Sequence, residues 1–228
     1  MIISHKYKFI FIKTNKTAGT SLEVFLSGVC GENDIFTPVW PPANGHIPRN
    51  YKGLWNPICD LSGNRKVDLR YLVKNFIHLN KYHSHITALD VSRRINKKVW
   101  NTYFKFCVER NPWDKTLSHY HMLAGRCSES LSFDQYLENN HLCFNYPNYC
   151  DSNNQVMVDQ VLHYENLNQE LASIFSKLAI PFNGALDVFE KSEYRKDRRH
   201  YREVFSPSQR EVVADAFQVE LDLHGYSF

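Results

Sequence analysis

The stretch "YKFIFIKTNKTAGTSLEVFLSG" (residues 7–28) constrains the chain most, because an apolar run passes into a polar loop and then directly into helical periodicity. Residues 7–12 form a continuous aromatic and β-branched run, the pattern of a strand buried on both faces of a parallel sheet. Thr20 and Glu23 have capping-box spacing, Leu22, Phe25 and Leu26 share one helical face, and Gly28 stands where a C′ glycine ends a helix. The unit is strand, loop, helix. Such a loop lies at the carboxyl edge of a parallel sheet, where backbone N–H groups and the helix dipole converge on an anion. Gly19 permits close backbone approach beside small Ala18, while Thr17, Thr20 and Ser21 offer hydroxyls and Lys16 a point charge. An ordinary capped helix after a polar turn fits the same residues equally well.

The theme recurs. "YFKFCVERNP" predicts a second buried strand ending at Glu109, followed by a helix with Pro112 in its first turn. "VDQVLHYENL" predicts a third strand, and "NQELASIFSKLAI" a helix that stops before Pro181. Shorter helices are expected at 89–95 and after Ser132, and a last one runs from the Ser206 cap and Pro207 to Gly225. Residues 31–65 hold five prolines and no sustained periodicity, so they read as irregular. Alternating strands and helices predict an α/β fold: a mainly parallel central sheet flanked by helices.

At 228 residues with 43% hydrophobic content, the chain suits one domain over 1–228, with an irregular insertion around 31–82. No apolar run is long enough to span a membrane, and the N-terminal run is broken by His5, Lys6 and Lys8, so a soluble cytoplasmic protein starting near Met1 is expected. A net charge of +3 does not call for nucleic acid, and six scattered cysteines without a CxxC pair read as reduced thiols.

The loop departs from the nucleotide triphosphatase pattern GxxxxGK[ST]: its lysine precedes the only glycine, and no later strand offers an aspartate for magnesium. Lys16-Thr17-Ala18-Gly19-Thr20-Ser21 instead resembles the 5′-phosphosulfate loop of sulfotransferases that use 3′-phosphoadenosine 5′-phosphosulfate (PAPS). "RNPWDKTLSHY" is similar to that family's 3′-phosphate element, with Arg110 at the strand end and Ser118 eight residues later on the helix. A guanidinium fork and a hydroxyl two turns on suit one phosphate. "VLHYENL" and the C-terminal segment "YREVFSPSQREVVADAFQVELDLHGYSF" also look like carbohydrate sulfotransferases. The resemblance implies a P-loop NTPase-like architecture, PAPS as donor, and a hydroxyl acceptor on a glycan or glycoside.

It further implies a charge on Lys16 for the leaving phosphate and a histidine base, with His85 favoured in "YHSHITALDV" and His83 as substitute. Arg198 and Arg199, in a run of six basic residues over 191–202, would assist the 3′-phosphate, although such a run is as often a solvated face. His119 and His121 point about 200° apart on a helix and His83 and His85 lack a matched third ligand, so no required metal is expected. A P-loop kinase and a non-catalytic anion or nucleic-acid module are the competing readings.

Overall fold

The computed structural model describes residues 1–61, 68–126, 130–139, 141–186, 197 and 199–228. Along the chain, β1 (Ile2–Ser4) and β2 (Phe9–Phe11) lead into α1 (Gly19–Val29), then β3 (Ile35–Phe36), α2 (Ile58–Leu61), α3 (Leu69–Ile77), α4 (Ala88–Arg94) and α5 (Lys97–Thr102). Next come β4 (Phe104–Glu109), α6 (Pro112–Ala124), α7 (Phe133–Glu138), α8 (Tyr146–Tyr149) and β5 (Gln160–His163). A 3₁₀ turn (Tyr164–Asn166) runs into α9 (Leu167–Lys177), followed by α10 (Tyr201–Val204), α11 (Pro207–Ala216) and α12 (Gln218–His224).

Among the described residues the strands form one sheet, ordered β3-β1-β2-β4-β5. β2, β4 and β5 run parallel, with Phe11 opposite Phe106 and Val108 opposite Leu162, so their carboxyl ends meet at one edge. That edge carries the loop after residue 12, Arg110 and Tyr164. On the other side, β1 pairs antiparallel with both β2 and β3. The sequence reading lacks β1 and β3; β3, at two residues, is too short to show a period.

The buried strands serve two faces. Phe9, Phe11, Phe106 and Leu162 pack with Leu22 and Leu26 of α1 and Leu171 and Phe175 of α9. Ile10, Ile12 and Cys107 face the opposite way, onto Ile86, Val91 and Tyr149. This strict alternation, apolar on both sides, is what a sheet covered by helices on both faces requires. A third cluster, around Trp113, Tyr136, Val213 and Phe217, anchors the C-terminal helices to α6.

Several local expectations change. The capping box at Thr20 and Glu23 does not form: α1 begins at Gly19 behind Ala18, which has no capping side chain, and Glu23 pairs elsewhere. Gly28 lies inside α1 rather than beyond its end, and Cys30 is the C-cap. The last helix breaks at Phe217, whose ring packs 4.7 Å from that of Phe144 while its backbone leaves the helical region. By contrast, Ser132 and Ser206 both make full capping boxes, Pro207 starts α11 and Gly225 closes α12 in the left-handed region.

Candidate active site

The loop between β2 and α1 holds two non-glycine residues in the left-handed region, Lys16 at φ 61° and Ala18 at φ 57°. Each such residue costs roughly 1–2 kcal/mol, so neighbouring groups must hold the loop in place. The contacts that do so are specific. The Thr14 and Thr17 hydroxyls bond to each other at 2.8 Å, and the Thr14 hydroxyl also donates to the Val108 carbonyl on β4. Arg110 Nη1 donates to the Lys16 carbonyl at 3.0 Å. The two strand tips that carry the phosphate motifs are therefore in direct contact.

A third clamp comes from a residue that the sequence motifs do not flag. Asn145, fully buried, accepts the Asn15 N–H at 2.8 Å through its side-chain oxygen and donates to the Asn15 carbonyl at 3.0 Å. It thus meets both main-chain groups of the residue before Lys16, much as a paired strand would. Its Nδ2 also donates to Glu109 Oε1 at 3.1 Å, and the same oxygen accepts the Arg110 N–H at 2.9 Å. Behind it Lys115, fully buried, sits between Glu109 (2.8 Å) and Glu220 of α12. Burial pushes the Lys115 pKa down, but the two carboxylates outweigh it and the net shift is upward. The Glu220 pKa is pushed up by its own burial.

Ala18 supplies no cap, so the first-turn N–H groups of an eleven-residue helix point at the loop without a side-chain acceptor from the N-cap. Gly19 has a different reason from the one its motif suggests. A Cβ there would stand 2.9 Å from Cγ of Lys13, so its small size makes room for the lysine stem. Lys13 Nζ reaches Thr20 Oγ1 at 3.2 Å and pairs with buried Glu23, which also pairs with the Met1 amino group. Burial works to raise the Glu23 pKa, yet these two cations hold it low. The Thr17 hydroxyl is thus engaged with Thr14, and the Thr20 hydroxyl accepts from Lys13 while keeping its own O–H as a donor.

On the helix side of the loop, Ala18 and Ser21 line a cavity of about 430 Å³ with Tyr164, Glu165, Asn168 and Leu186. Its size falls within the usual range for small-molecule sites. The Arg110 guanidinium lies over the Tyr164 ring at 4.2 Å and pairs with Asp114 at 2.7 Å. Ser118 lies two turns into α6, half-buried and one turn past Asp114.

The two candidate histidines separate. His85 Nδ1 lies 3.2 Å from the Lys13 carbonyl. A carbonyl only accepts, so Nδ1 carries the hydrogen and Nε2 keeps its lone pair. Solvent reaches one side of the ring while protein atoms crowd the rest; this lost hydration, with the Lys13 and Met1 cations, lowers its pKa to about 4. His83 instead packs edge-on against Tyr71 of α3, ring centres 5.1 Å apart. His119 belongs near the loop too: Nδ1 is 3.0 Å from the Tyr136 hydroxyl, and burial followed by the Lys16 charge lowers its pKa to about 4. Arg199 is exposed and bonded to Asp197 at 2.6 Å, and Arg198 lies outside the described residues. Among the loop aromatics, Tyr149 is buried and Trp55 packs on Phe76, whereas Trp40 is 84% exposed.

Residues 1–227 match the family described as the sulfotransferase family. A protein of Archaeoglobus fulgidus, described only as uncharacterized, is 35% identical over 117 residues, covering 48% of this chain and 97% of that protein. In fold, the chain is similar to mouse sulfotransferase SULT7A1 complexed with PAP, with a TM-score of 0.52, 13% identity, and coverage of 96% of this chain and 86% of that one.

The Asn145 clamp has a measurable consequence. Asn145→Asp keeps the acceptor for Asn15 N–H but removes both donated bonds and sets a carboxylate against Glu109, so urea unfolding should show a loss of about 2–4 kcal/mol. A change below about 0.5 kcal/mol, within the range of ordinary surface substitutions, would mean the clamp carries no weight.

Proposed function

We propose how this chain, which belongs to the sulfotransferase family, carries out its chemistry: one sulfotransferase domain moves a sulfuryl group from PAPS to an acceptor hydroxyl by in-line displacement. The observation that carries this reading is the 3.0 Å bond from Arg110 to the Lys16 carbonyl, which joins an uncapped helix N-terminus and a guanidinium beside one nucleotide-sized cavity. PAPS supplies the sulfuryl group and a bisphosphorylated adenosine as leaving group. Backbone N–H groups from Thr17 to Ser21 cradle the 5′ end, and Arg110 with Ser118 holds the 3′-phosphate. Three of the five Arg110 N–H donors are taken by Asp114 and Lys16 among the described residues, leaving two for a ligand. Arg198 and Arg199 add positive charge at that end in this reading.

Charge grows on the bridging oxygen as the sulfur–oxygen bond breaks, and the Lys16 ammonium offsets it. His85 takes the acceptor proton at Nε2; its Nδ1–H bond to Lys13 supports that assignment because it leaves the correct lone pair exposed. His83, turned onto Tyr71, is the weaker candidate. The acceptor is a carbohydrate hydroxyl in this reading. Its support is the C-terminal resemblance to carbohydrate sulfotransferases.

The direct test is transfer of labelled sulfate from PAPS to a panel of glycans. Lys16→Ala should lower kcat by about 10²–10³, the scale of one lost transition-state donor, with a smaller effect on affinity for adenosine 3′,5′-bisphosphate; unchanged turnover would remove Lys16 from the mechanism.

The pH profile tests the base separately. Only neutral imidazole accepts a proton, and the His85 pKa is lowered from 6.5 to about 4. On the acid side kcat/KM should therefore hold from pH 7 down to about 5 and fall only as the pH approaches 4. A limb at 6.5 that His85→Ala leaves in place would exclude His85 as the base.

A further inference from the structure

Of the fourteen large hydrophobic residues exposed among the described residues, nine fall between Leu54 and Leu79. Scattered exposed apolar side chains are ordinary, but a concentration of this kind marks an interaction surface. Helix α3 shows how it is organised. Leu69, Val73 and Ile77 recur every four residues and are 60%, 54% and 70% exposed, while Leu72 and Asn75 turn inward. Along this stripe, Leu69, Val73 and Ile77 form a shallow groove with Arg70, Lys74 and His78.

Neighbouring elements extend the surface. Trp55 packs edge-on against Phe76 at 5.6 Å, and its Nε1 donates to Asp60 at 2.9 Å. Asp60 is buried in a pair with Arg94 at 2.8 Å, so α2 is fixed to α4 while Ile58 (71% exposed) and Leu54 (73%) face outward. Among the described residues of this face the exposed charges are mainly cationic, with Asp68 an exposed carboxylate beside them. Lys52, Arg70 and Lys74 are open to solvent. The Asp60 carboxylate is consumed by Arg94, and Asp68 caps α3 by accepting the N–H groups of Arg70 and Tyr71.

We propose that this face docks on an anionic lipid bilayer, with α3 in the headgroup plane, its Leu69–Val73–Ile77 stripe in the acyl boundary and Arg70 and Lys74 among the phosphates. An apolar stripe flanked by cations is the pattern that binds such interfaces, through buried apolar area together with attraction to anionic lipid. Self-association fits less well. A second copy on the same face would bring Arg70 and Lys74 towards their own counterparts, a like-charge contact that disfavours pairing. Tyr71 of the same helix lies edge-on to His83, two residues before His85, so this face adjoins the segment that carries the proposed base.

The full chain should sediment with vesicles of phosphatidylcholine mixed with phosphatidylglycerol, much less with phosphatidylcholine alone, and binding should weaken as salt rises. The double variant Val73→Glu, Ile77→Glu should bind at least tenfold more weakly, equivalent to about 1.4 kcal/mol, while its melting temperature stays near that of the parent. Vesicle binding that is absent at both compositions, or unchanged in the variant, overturns the proposal. A dimer detected by light scattering that the same variant dissociates, without vesicle binding, also overturns it and assigns the face to a second copy of the chain.

Discussion

One buried carboxylate, Glu109 at the tip of β4, sets the geometry on which the site depends. One of its oxygens receives the Lys115 ammonium, the Arg110 N–H and the Asn145 amide, and the other receives the Tyr149 hydroxyl at 2.8 Å. A fully buried charge is tolerated only when its acceptor sites are filled in this way. These partners come from the start of α6 and from the 145–149 region, and Asn145 in turn holds Asn15, so filling them brings both segments and the loop before Lys16 into one arrangement. Glu220 extends the cluster to α12 and accepts the N–H groups of Asn145 and Tyr146, so the C-terminal helix is linked through Asn145 to the loop before Lys16.

The loop itself is costly to form alone, with two non-glycine residues in the left-handed region. Asn145 on Asn15, Arg110 on Lys16 and Thr14 on β4 supply the constraint that compensates. Catalysis of group transfer by positioning and charge needs this rigidity, since a misplaced ammonium at the leaving oxygen loses most of its effect. The same arrangement separates the two loop lysines: Lys13 is held inward by Glu23, and its carbonyl sets the tautomer of His85, whereas the Lys16 backbone occupies the left-handed turn.

The β2–α1 loop and the tip of β4 that frame the candidate site are legible in the sequence because they rest on local features. A buried run, a loop of small and hydroxylic residues and a helix signal suffice to locate 16–21, and the Arg-Asn-Pro step locates Arg110. Asn145 and Glu220 are not legible, since their meaning lies in contacts with Asn15 and Glu109 that are distant in sequence. The capping box at Thr20 and Glu23 has the right spacing, but a buried ion pair with Lys13 and Met1 binds Glu23 more strongly than a backbone N–H would. Choosing between His83 and His85 likewise requires knowing that α3 lies beside the first, and α3 follows a segment too rich in proline and glycine to predict its docking.

The central claim is that the tips of β2 and β4 hold opposite ends of one bisphosphorylated adenosine. Calorimetric titration of the protein and of Arg110→Ala with adenosine 3′,5′-bisphosphate and with adenosine 5′-monophosphate tests it most directly. The account predicts that the 3′-phosphate raises affinity by about 10–100-fold in the parent, the scale of charge-assisted hydrogen bonds, and that Arg110→Ala abolishes the preference. Equal affinity for the two nucleotides in the parent, or a preference that survives the loss of Arg110, would contradict it.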